Sequence, residues 1–406
     1  MRDIVFYLHM HQPYRVGPYD VFAIGERHNY FESFDTKTDN QAIFSKVAHK
    51  SYYPMIALLR RLADELPNFS LNLSLTGVFL EQCEAWEPAL LSDIKQLVAT
   101  GKVELAAETY FHSLAFFYSQ FEFEKQVRMH SEALQKHFGV KPQVFRNTEL
   151  AYNNQLGRWA ETAGYKAVIT EGWDPVLAGR SSHYLYSPKG VTKTTLFLKD
   201  YRLSDDIAFR FSNRQWADWP LTADKYKSWL DVLPPEDKLV NLFMDFETFG
   251  EHQWEATGIF EFFENFARQW CEAGNSFLTF SDALEKHKVK DTLDVPETIT
   301  WADNERDLTA WLGNALQQEA ANSLYKLENS VLHSGDNQLI HDWRLLQASD
   351  LLYYLSTKWF NDGDVHAYFS PYDSPYDGFL NYMNAIRDLR FRLSENSQTK
   401  PEVTRE

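Results

Sequence analysis

The sequence predicts an α/β protein: an incomplete seven-stranded parallel (β/α)7 barrel followed by a C-terminal helical bundle. Seven short runs of β-type residues alternate with helical stretches, a pattern typical of parallel βα units. Most of these runs end at an acidic residue or a histidine. In the C-terminal part of the chain the apolar residues step by three and four, which indicates helices. An open doubly wound sheet would show the same periodicity and remains an alternative at this point.

The predicted strands are short and are followed by polar residues. The run at 4–8 leads to His9 and His11, the fourth run to Glu149, and the seventh run to Asp245. In parallel α/β barrels the chemistry gathers at the carboxyl ends of the strands, so we expect these side chains to face one site. The seven predicted strands cover residues 4–8, 71–75, 103–107, 143–145, 167–170, 195–198 and 239–244.

Helical segments separate the predicted strands. Gly164 directly follows one of them, and glycine is the usual residue just beyond a helix C-terminus. The predicted helices cover residues 53–65, 90–100, 121–138 and 155–163.

The C-terminal part of the chain shows two apolar faces at helical spacing, which are best explained by packing. The first face covers residues 345–359, and the second covers residues 379–393. We therefore predict a catalytic barrel over residues 1–290 and a helical domain over residues 291–406 that contributes to the cleft. The first face consists of Leu345, Ala348, Leu352, Leu355 and Trp359.

Composition is compatible with a protein that acts on an uncharged polymer. The net charge of -17 argues against binding to nucleic acid or to an anionic membrane, which requires clustered Lys and Arg. Aromatic residues make up 16% of the chain. They can all serve a large core, but flat rings also cover the apolar faces of sugars in carbohydrate clefts.

The sequence gives no sign of export or of membrane insertion. Cys83 and Cys271 are too few for a disulfide framework. The first residues, MRDIVFYLHMHQP, carry charge and reach histidine too early for a signal peptide. No apolar run approaches the roughly 20 residues that span a bilayer. We expect a soluble, cytoplasmic enzyme, and the sequence leaves its oligomeric state open.

Two acidic residues that follow strands are the candidate catalytic groups. Breaking a glycosidic bond without a metal needs one carboxyl group to donate a proton and another to attack the anomeric carbon or position water. Glu149, in VFRNTELAYNN, and Asp245, in LFMDFETFGEHQW, both follow apolar runs. An acid after a strand is often only a helix cap or a solvated charge. For an acid that lies among aromatic residues, a helix cap or a solvated charge is a weaker explanation.

Histidines support a hypothesis from another enzyme class. His9, His11 and His112 could hold a metal together with a carboxylate, as in a metal-dependent carbohydrate deacetylase, and His252 is a further candidate ligand. No HExxH motif or matching cysteine set accompanies them. We expect these imidazoles to bind sugar hydroxyls or to be structural, and we predict no metal and no cofactor. The glycines form no phosphate-binding pattern, which argues against a nucleotide.

Five segments together resemble glycoside hydrolase family 57, and in particular its α-amylase-like members. The fourth segment is the most specific, and all five occur in the order that the family has them. The segments are HQPY at 11–14, GVFLEQ at 77–82, FRNTEL at 145–150, MDFETFGEHQW at 244–254 and WADNERDLTAWLGN at 301–314.

The resemblance implies a seven-stranded βα barrel followed by a helical region. It also implies that Glu149, the glutamate of the third segment, is the nucleophile and that Asp245, the first aspartate of the fourth, is the acid/base. Trp173, which follows the fifth predicted strand, and His252 are further predicted substrate contacts. Positions that look substrate-facing in the family fall on His11, Glu81, Trp301, Asp303 and Trp311.

The implied reaction is a double displacement with retention on α-1,4-linked glucans of the starch or glycogen type, or on maltooligosaccharides. Glu149 attacks the anomeric carbon while protonated Asp245 releases the leaving sugar, and Asp245 then deprotonates water. We expect Arg146 to keep Glu149 ionised. We also expect Glu247, two residues beyond Asp245, to raise the pKa of Asp245 through like-charge proximity.

Alternatives remain open at this stage. A 4-α-glucanotransferase or a branching enzyme uses the same covalent intermediate, with a sugar hydroxyl in place of water as the acceptor. The ETFGEHQW form of the fourth segment looks more like that of the α-amylase-type relatives. A deacetylase or a glucan-binding protein without catalysis is the remaining possibility.

Overall fold

A computed structural model describes residues 1–358 and 365–398 of the chain. These residues form two compact units. The barrel unit comprises Met1–His11, Phe44–Thr109 and Val127–Ala302, and the helical unit comprises Gln12–Ile43, Tyr110–Gln126 and the described residues from Asp303 onward. The division into domains at residue 290 stays a prediction.

The strands of the described residues belong to the barrel unit. They are β1 (Asp3–Met10), β2 (Leu71–Leu75), β3 (Val103–Leu105), β4 (Val144–Arg146), β5 (Ala167–Glu171), β6 (Leu185–Pro188), β7 (Thr195–Lys199), β8 (Leu239–Asp245), β9 (Ser276–Leu278) and β10 (Val289–Leu293).

The α-helices are distributed over both units. They are α1 (Asn40–Val47), α2 (Tyr53–Glu65), α3 (Gly77–Trp86), α4 (Pro88–Ala99), α5 (Gln120–Phe138), α6 (Asn154–Ala163), α7 (Asp174–Leu177), α8 (Tyr201–Asp205), α9 (Ala223–Asp231), α10 (Ile259–Glu272), α11 (Phe280–Lys286), α12 (Thr309–Leu312), α13 (Ala315–Tyr325), α14 (Glu328–Ser334), α15 (Asn337–Leu345), α16 (Ser349–Tyr353), α17 (Val365–Phe369) and α18 (Pro375–Gln398).

Seven parallel strands follow one another around the barrel unit. β8, β1, β2 and β3 form one run of parallel pairs, and β4, β5 and β7 form another. A parallel bridge between Ala107 and Phe145 joins β3 to β4. The ring closes between β7 and β8, where the Asp200 amide donates to the Asn241 carbonyl over 2.9 Å. The Asn241 side chain also donates to the Leu198 carbonyl over 2.8 Å.

This closure decides between the two predicted architectures, because an open doubly wound sheet would leave β7 and β8 apart. The seven predicted strands are all present, with ends that differ from the prediction by no more than two residues. β9 pairs with the first residues of β1, while β6 and β10 extend the sheet beside β7.

Alternation along the strands fills the barrel with apolar side chains, because successive residues of a strand point to opposite faces. Phe280 of α11 packs on this cluster, with its ring 5.0 Å from that of Phe197. The cluster contains Val5, Tyr7, Ala106, Val144, Ala167, Ile169, Phe197, Leu239 and Phe243.

The predicted helices within 53–163 are confirmed as α2, α4, α5 and α6. Gly164 ends α6 in the left-handed conformation, with φ at 86°. Among the described residues, no helix has the length and apolar character needed to cross a bilayer.

In the helical unit, α18 confirms the predicted apolar face at 379–393. The other predicted helical face is wrong as one continuous helix. The backbone at Ala348 is extended, with ψ at 131°, so α15 ends at Leu345 and α16 begins at Ser349. Trp359, the last residue of that predicted face, lies outside the described residues.

Candidate active site

A layer of charged and titratable side chains lies on top of the apolar cluster in the barrel unit. It continues the inward-facing positions of the strands to their carboxyl ends, as the two-residue alternation requires. We call these six residues the charged layer: His9, Glu108, Arg146, Glu171, Lys199 and Asp245.

His9 links two carboxylates of the charged layer. It lies opposite Asp245 in the pairing of β1 with β8, and its Nδ1 is 3.5 Å from Asp245 Oδ1. Its Nε2 is 3.1 Å from Glu108 Oε2. The Glu108 amide donates to His130 Nδ1, and His130 Nε2 donates to the Leu75 carbonyl over 2.7 Å. These bonds fix the backbone from which the Glu108 side chain reaches His9.

The pKa of Asp245 is lowered by its surroundings. Burial raises this pKa, but the hydrogen bond and charge of His9, followed by the charges of His252 and Arg146, outweigh burial. Asp245 is therefore ionised in the free protein at neutral pH. The Asp245 side chain is still 39% exposed, so a molecule in the cleft can reach it.

Glu247 does not act on Asp245 as predicted. Its carboxylate accepts a hydrogen bond from the Tyr52 hydroxyl and is buried. The pKa of Asp245 is lowered and not raised. The prediction was wrong because the strand ends at Asp245 and Phe246–Thr248 forms a 3-10 turn, so strand alternation no longer sets the direction of Glu247.

Glu149 lies in a strained turn directly after β4. Its φ of 59° and ψ of 26° place it in the left-handed region, and Leu150 follows with φ at 52°. Such backbone costs on the order of 1–3 kcal/mol per residue and persists where the surrounding structure holds it. Thr170 donates to the Leu150 carbonyl, and the Asn147 side chain donates to the Ala151 carbonyl.

Trp301 reaches Glu149 from a segment that returns to the barrel. Ile299 and Tyr152 exchange two backbone hydrogen bonds of 2.9 Å. Two residues further on, the Trp301 indole Nε1 donates to Glu149 Oε2 over 2.8 Å. The predicted nucleophile therefore has a fixed partner from outside its own turn.

Arg146 is the charge that both predicted catalytic residues share. Its guanidinium is fully buried, and its Nη1 lies 3.6 Å from Glu108 Oε2. Burial lowers the pKa of Arg146, but the neighbouring Tyr7 and the charges of Glu108, Glu149 and Asp245 together raise it above its usual value. The sequence-based expectation that Arg146 keeps Glu149 ionised stays a prediction.

The other predicted substrate contacts of the barrel unit lie on the segments that follow the strands. His11 follows β1, and its Nδ1 is 2.9 Å from Thr76 Oγ1. Glu81 lies on α3 after β2, and Trp173 is the N-cap residue of α7 after β5. Burial lowers the pKa of His252, although Asp245 and Glu251 act in the opposite direction.

Two predicted substrate contacts belong to the helical unit. Asp303 binds Lys358 over 3.1 Å and His366 over 3.0 Å, and its φ is 53°. Burial raises the pKa of Asp303, but His366 and Lys358 lower it overall. Trp311 is only 1% exposed and packs near Tyr353. The roles of both residues in substrate binding stay predictions.

Sequence reasoning missed Lys199 and gave no role to Glu108. Lys199 binds Asp205 over 2.9 Å and lies 3.8 Å from Glu171. The available signal was the two-residue alternation: counting forward from Phe197 places Lys199 on the inner face of its strand.

Comparison with known protein families identifies the family to which the chain belongs. The model of the family described as "Glycosyl hydrolase family 57" matches residues 5–296. The chain belongs to this family. The sequence-based resemblance is thereby confirmed. A relative in Methanocaldococcus jannaschii, named "Putative alpha-amylase", is 40% identical over 407 residues, which cover 97% of this chain and 85% of that protein.

Solved structures share the fold. A 4-alpha-glucanotransferase of Thermococcus litoralis superimposes with a TM-score of 0.64 and 17% identity, over 86% of this chain and 56% of that chain. The match with our chain thus covers a little over half of that longer enzyme. A GH57 branching enzyme of Thermococcus kodakaraensis superimposes with a TM-score of 0.68 and 14% identity, over 90% of this chain and 87% of that chain.

Proposed function

We propose that the chain is a retaining glycoside hydrolase that cleaves α-1,4-glucosidic bonds in starch- or glycogen-type glucans or in maltooligosaccharides. Glu149 is the nucleophile and Asp245 is the acid/base. Family membership and the relative named for alpha-amylase activity support the substrate class. Action in the cytoplasm stays a prediction from the sequence.

One observation carries the assignment of the two residues. The charges of Glu149 and Asp245 both act on the buried guanidinium of Arg146. Two carboxyl groups that follow different strands, nearly a hundred positions apart, thus lie near enough to one buried cation for their charges to act on it. A retaining mechanism needs such convergence, with the carboxyl groups about 5–5.5 Å apart.

The charges also suggest how Asp245 changes its role. Asp245 is ionised in the free protein and has to take up a proton before it can donate to the leaving oxygen, and the negative charge of ionised Glu149 favours that uptake. Once Glu149 forms the glycosyl ester, its negative charge disappears. The positive charge of Arg146 is then no longer partly neutralised by Glu149, and its effect on Asp245 increases. Asp245 then favours its ionised form, which takes a proton from the attacking water.

The first test is the removal of each carboxyl group. Glu149→Gln and Asp245→Asn should each lower kcat on maltoheptaose by about 10²-fold or more, because neither amide can attack carbon or exchange a proton. Glu272→Gln, at an exposed position in α10, is the matched control and should keep full activity. Circular dichroism and the melting temperature establish that the variants are folded.

Near-normal turnover by either variant would refute the assignment. The products of the same maltoheptaose reaction distinguish hydrolysis from transfer. Transfer is tested because the two structural neighbours are named as a 4-alpha-glucanotransferase and a branching enzyme. Products that are chiefly shorter than maltoheptaose indicate hydrolysis, whereas chains longer than maltoheptaose indicate a glucanotransferase. Loss of activity in a chelator, with the carboxyl variants active, would instead favour the deacetylase hypothesis.

A further inference from the structure

Trp301 makes two hydrogen bonds to Glu149. Its indole Nε1 donates to Glu149 Oε2 over 2.8 Å, and its backbone amide donates to the Glu149 carbonyl over 3.3 Å. One bond holds the side chain and the other holds the strained backbone. The orientation of the Glu149 carboxylate is therefore coupled to the position of a single indole ring.

Two cations of the charged layer lie over that indole ring. The Arg146 guanidinium carbon is 5.2 Å from the ring centroid, and Lys199 Nζ is 5.5 Å from it. A cation within about 6 Å of an indole centroid attracts the ring electrostatically. It also withdraws electron density from the ring, which makes the indole N–H a better hydrogen-bond donor to Glu149.

Both cations are held by other groups. Lys199 donates to Asp205 over 2.9 Å, and Glu171 lies 3.8 Å from it. Arg146 lies 3.6 Å from Glu108, and within the described part of the chain its Nε, Nη1 and Nη2 make no hydrogen bond. Burial, ionic attraction and the indole face thus hold the guanidinium in place.

We propose that Trp301 is a positioning residue for Glu149, and that Arg146 and Lys199 hold its indole ring in place. The proposal rests on the function proposed above, in which Glu149 is the nucleophile. Trp301 keeps the carboxylate ionised and correctly rotated for attack, because a hydrogen bond to the charged form favours that form. This role differs from the substrate contact that the sequence resemblance implies for Trp301.

Trp301→Phe separates the two roles, since phenylalanine keeps an aromatic face for the cations and lacks the N–H. We expect kcat on maltoheptaose to fall by about 10- to 100-fold, with KM changed less than about twofold. The acidic limb of the pH profile of kcat/KM should also move to higher pH. Trp159→Phe is the matched control, because Trp159 packs on Phe145, outside the charged layer, and its loss should leave kinetics unchanged.

Rescue with azide tests whether Trp301 acts through Glu149. In Glu149→Ala, azide attacks the anomeric carbon from the side that the carboxylate occupied. The bond from azide nitrogen to carbon forms as the glycosidic C–O bond breaks, and Asp245 gives its proton to the leaving oxygen, which yields a β-glycosyl azide. Adding Trp301→Phe to this variant should change the rate of glycosyl azide formation by less than about twofold. If Trp301 acts only through Glu149, its substitution has little further effect once the Glu149 carboxylate is absent.

Each outcome has one meaning. An equal loss in the native and azide-rescued backgrounds, or an effect on KM alone, overturns the positioning role and favours a substrate contact. If Glu149→Ala yields no glycosyl azide, the assignment of Glu149 as the nucleophile is refuted. The inference about Trp301 then fails with it. If Trp301→Phe does not fold, Lys199→Met gives a second test: kcat should fall about threefold or more with KM and the azide reaction unchanged.

Discussion

At the scale of single residues, His9 favours the ionised form of Asp245. Its imidazole is 3.1 Å from Glu108 and 3.5 Å from Asp245, and it is only 3% exposed. A general acid must carry its proton at the working pH, yet His9 favours the ionised form of Asp245. His9 therefore limits how far toward alkaline pH the enzyme stays active.

His9→Gln should move the basic limb of the pH profile of kcat/KM to higher pH by about one pH unit. The change removes the imidazole that lies beside Asp245 and leaves an amide that can still donate to Glu108. The pKa of Asp245, which His9 lowers, then rises, and its protonated form persists to higher pH. The measurement is kcat/KM on maltoheptaose across the pH range. His49→Gln, at an exposed position, should leave the profile unchanged, and a shift toward lower pH would contradict the argument.

Single residues were also where sequence analysis was least complete. The positions of Glu149 and Asp245 at strand ends could be predicted because both stand in specific motifs, while their catalytic roles stay predictions. The bond between Trp301 and Glu149 could not be predicted, because it joins positions 152 residues apart through a backbone pairing that leaves no local pattern. Glu247 was assigned wrongly because the sequence does not show where the strand gives way to a turn.

At the scale of elements, a buried imidazole joins three connections of the barrel. His183 lies just before β6, and its Nε2 is 2.6 Å from Asp200, which caps α8. Its Nδ1 is 3.0 Å from Asp237, just before β8. Burial lowers the pKa of His183, but the two carboxylates raise it overall. An imidazole with both nitrogens on carboxylates donates twice, so the protonated form holds these elements together.

His183→Gln should lower the free energy of unfolding by about 3 kcal/mol at acidic pH and by less at alkaline pH. A folded-state pKa above the unfolded one gives stability that is fully present below the unfolded pKa. That stability is lost as pH rises through the folded pKa. Urea titrations of both proteins at several pH values measure the difference. His333→Gln, on an exposed helix end, is the control, and a difference that grows with pH would refute the interpretation.

The elements themselves were predictable to different degrees. The seven barrel strands could be placed because each is a short apolar run with polar residues beyond it. β6, β9 and β10 were missed, since β9 has three residues and four of the five residues of β10 are exposed. The break at Ala348 was hidden because the apolar positions keep helical spacing across it.

At the scale of the whole molecule, each unit gathers segments that are distant in the chain. In the helical unit, Asp388 of α18 binds the segment near the start of the chain. Its carboxylate accepts from the Gly25 amide over 2.7 Å, from His28 over 2.8 Å and from the Tyr30 hydroxyl over 2.5 Å. Asp388 itself is fully buried.

Asp388→Asn should lower the free energy of unfolding by about 2–3 kcal/mol, because an amide in that place leaves at least one buried partner unsatisfied. Differential scanning calorimetry and urea titration measure the change. Asp377→Asn is the control, since Asp377 is exposed and bonds Ser374 within three residues. Equal losses from the two substitutions would show that the buried carboxylate has no special part in joining these segments.

The return of the chain at Ile299 has a consequence for any shortened form of the protein. A protein shortened to residue 290 would keep all seven parallel strands and both proposed catalytic carboxyl groups. It would lack the pairing of Ile299 with Tyr152 and the indole that anchors Glu149. Such a fragment would keep the strands of the barrel but leave the Glu149 carboxylate without its indole partner, so a shortened chain has to extend at least through Ala302 to keep that bond.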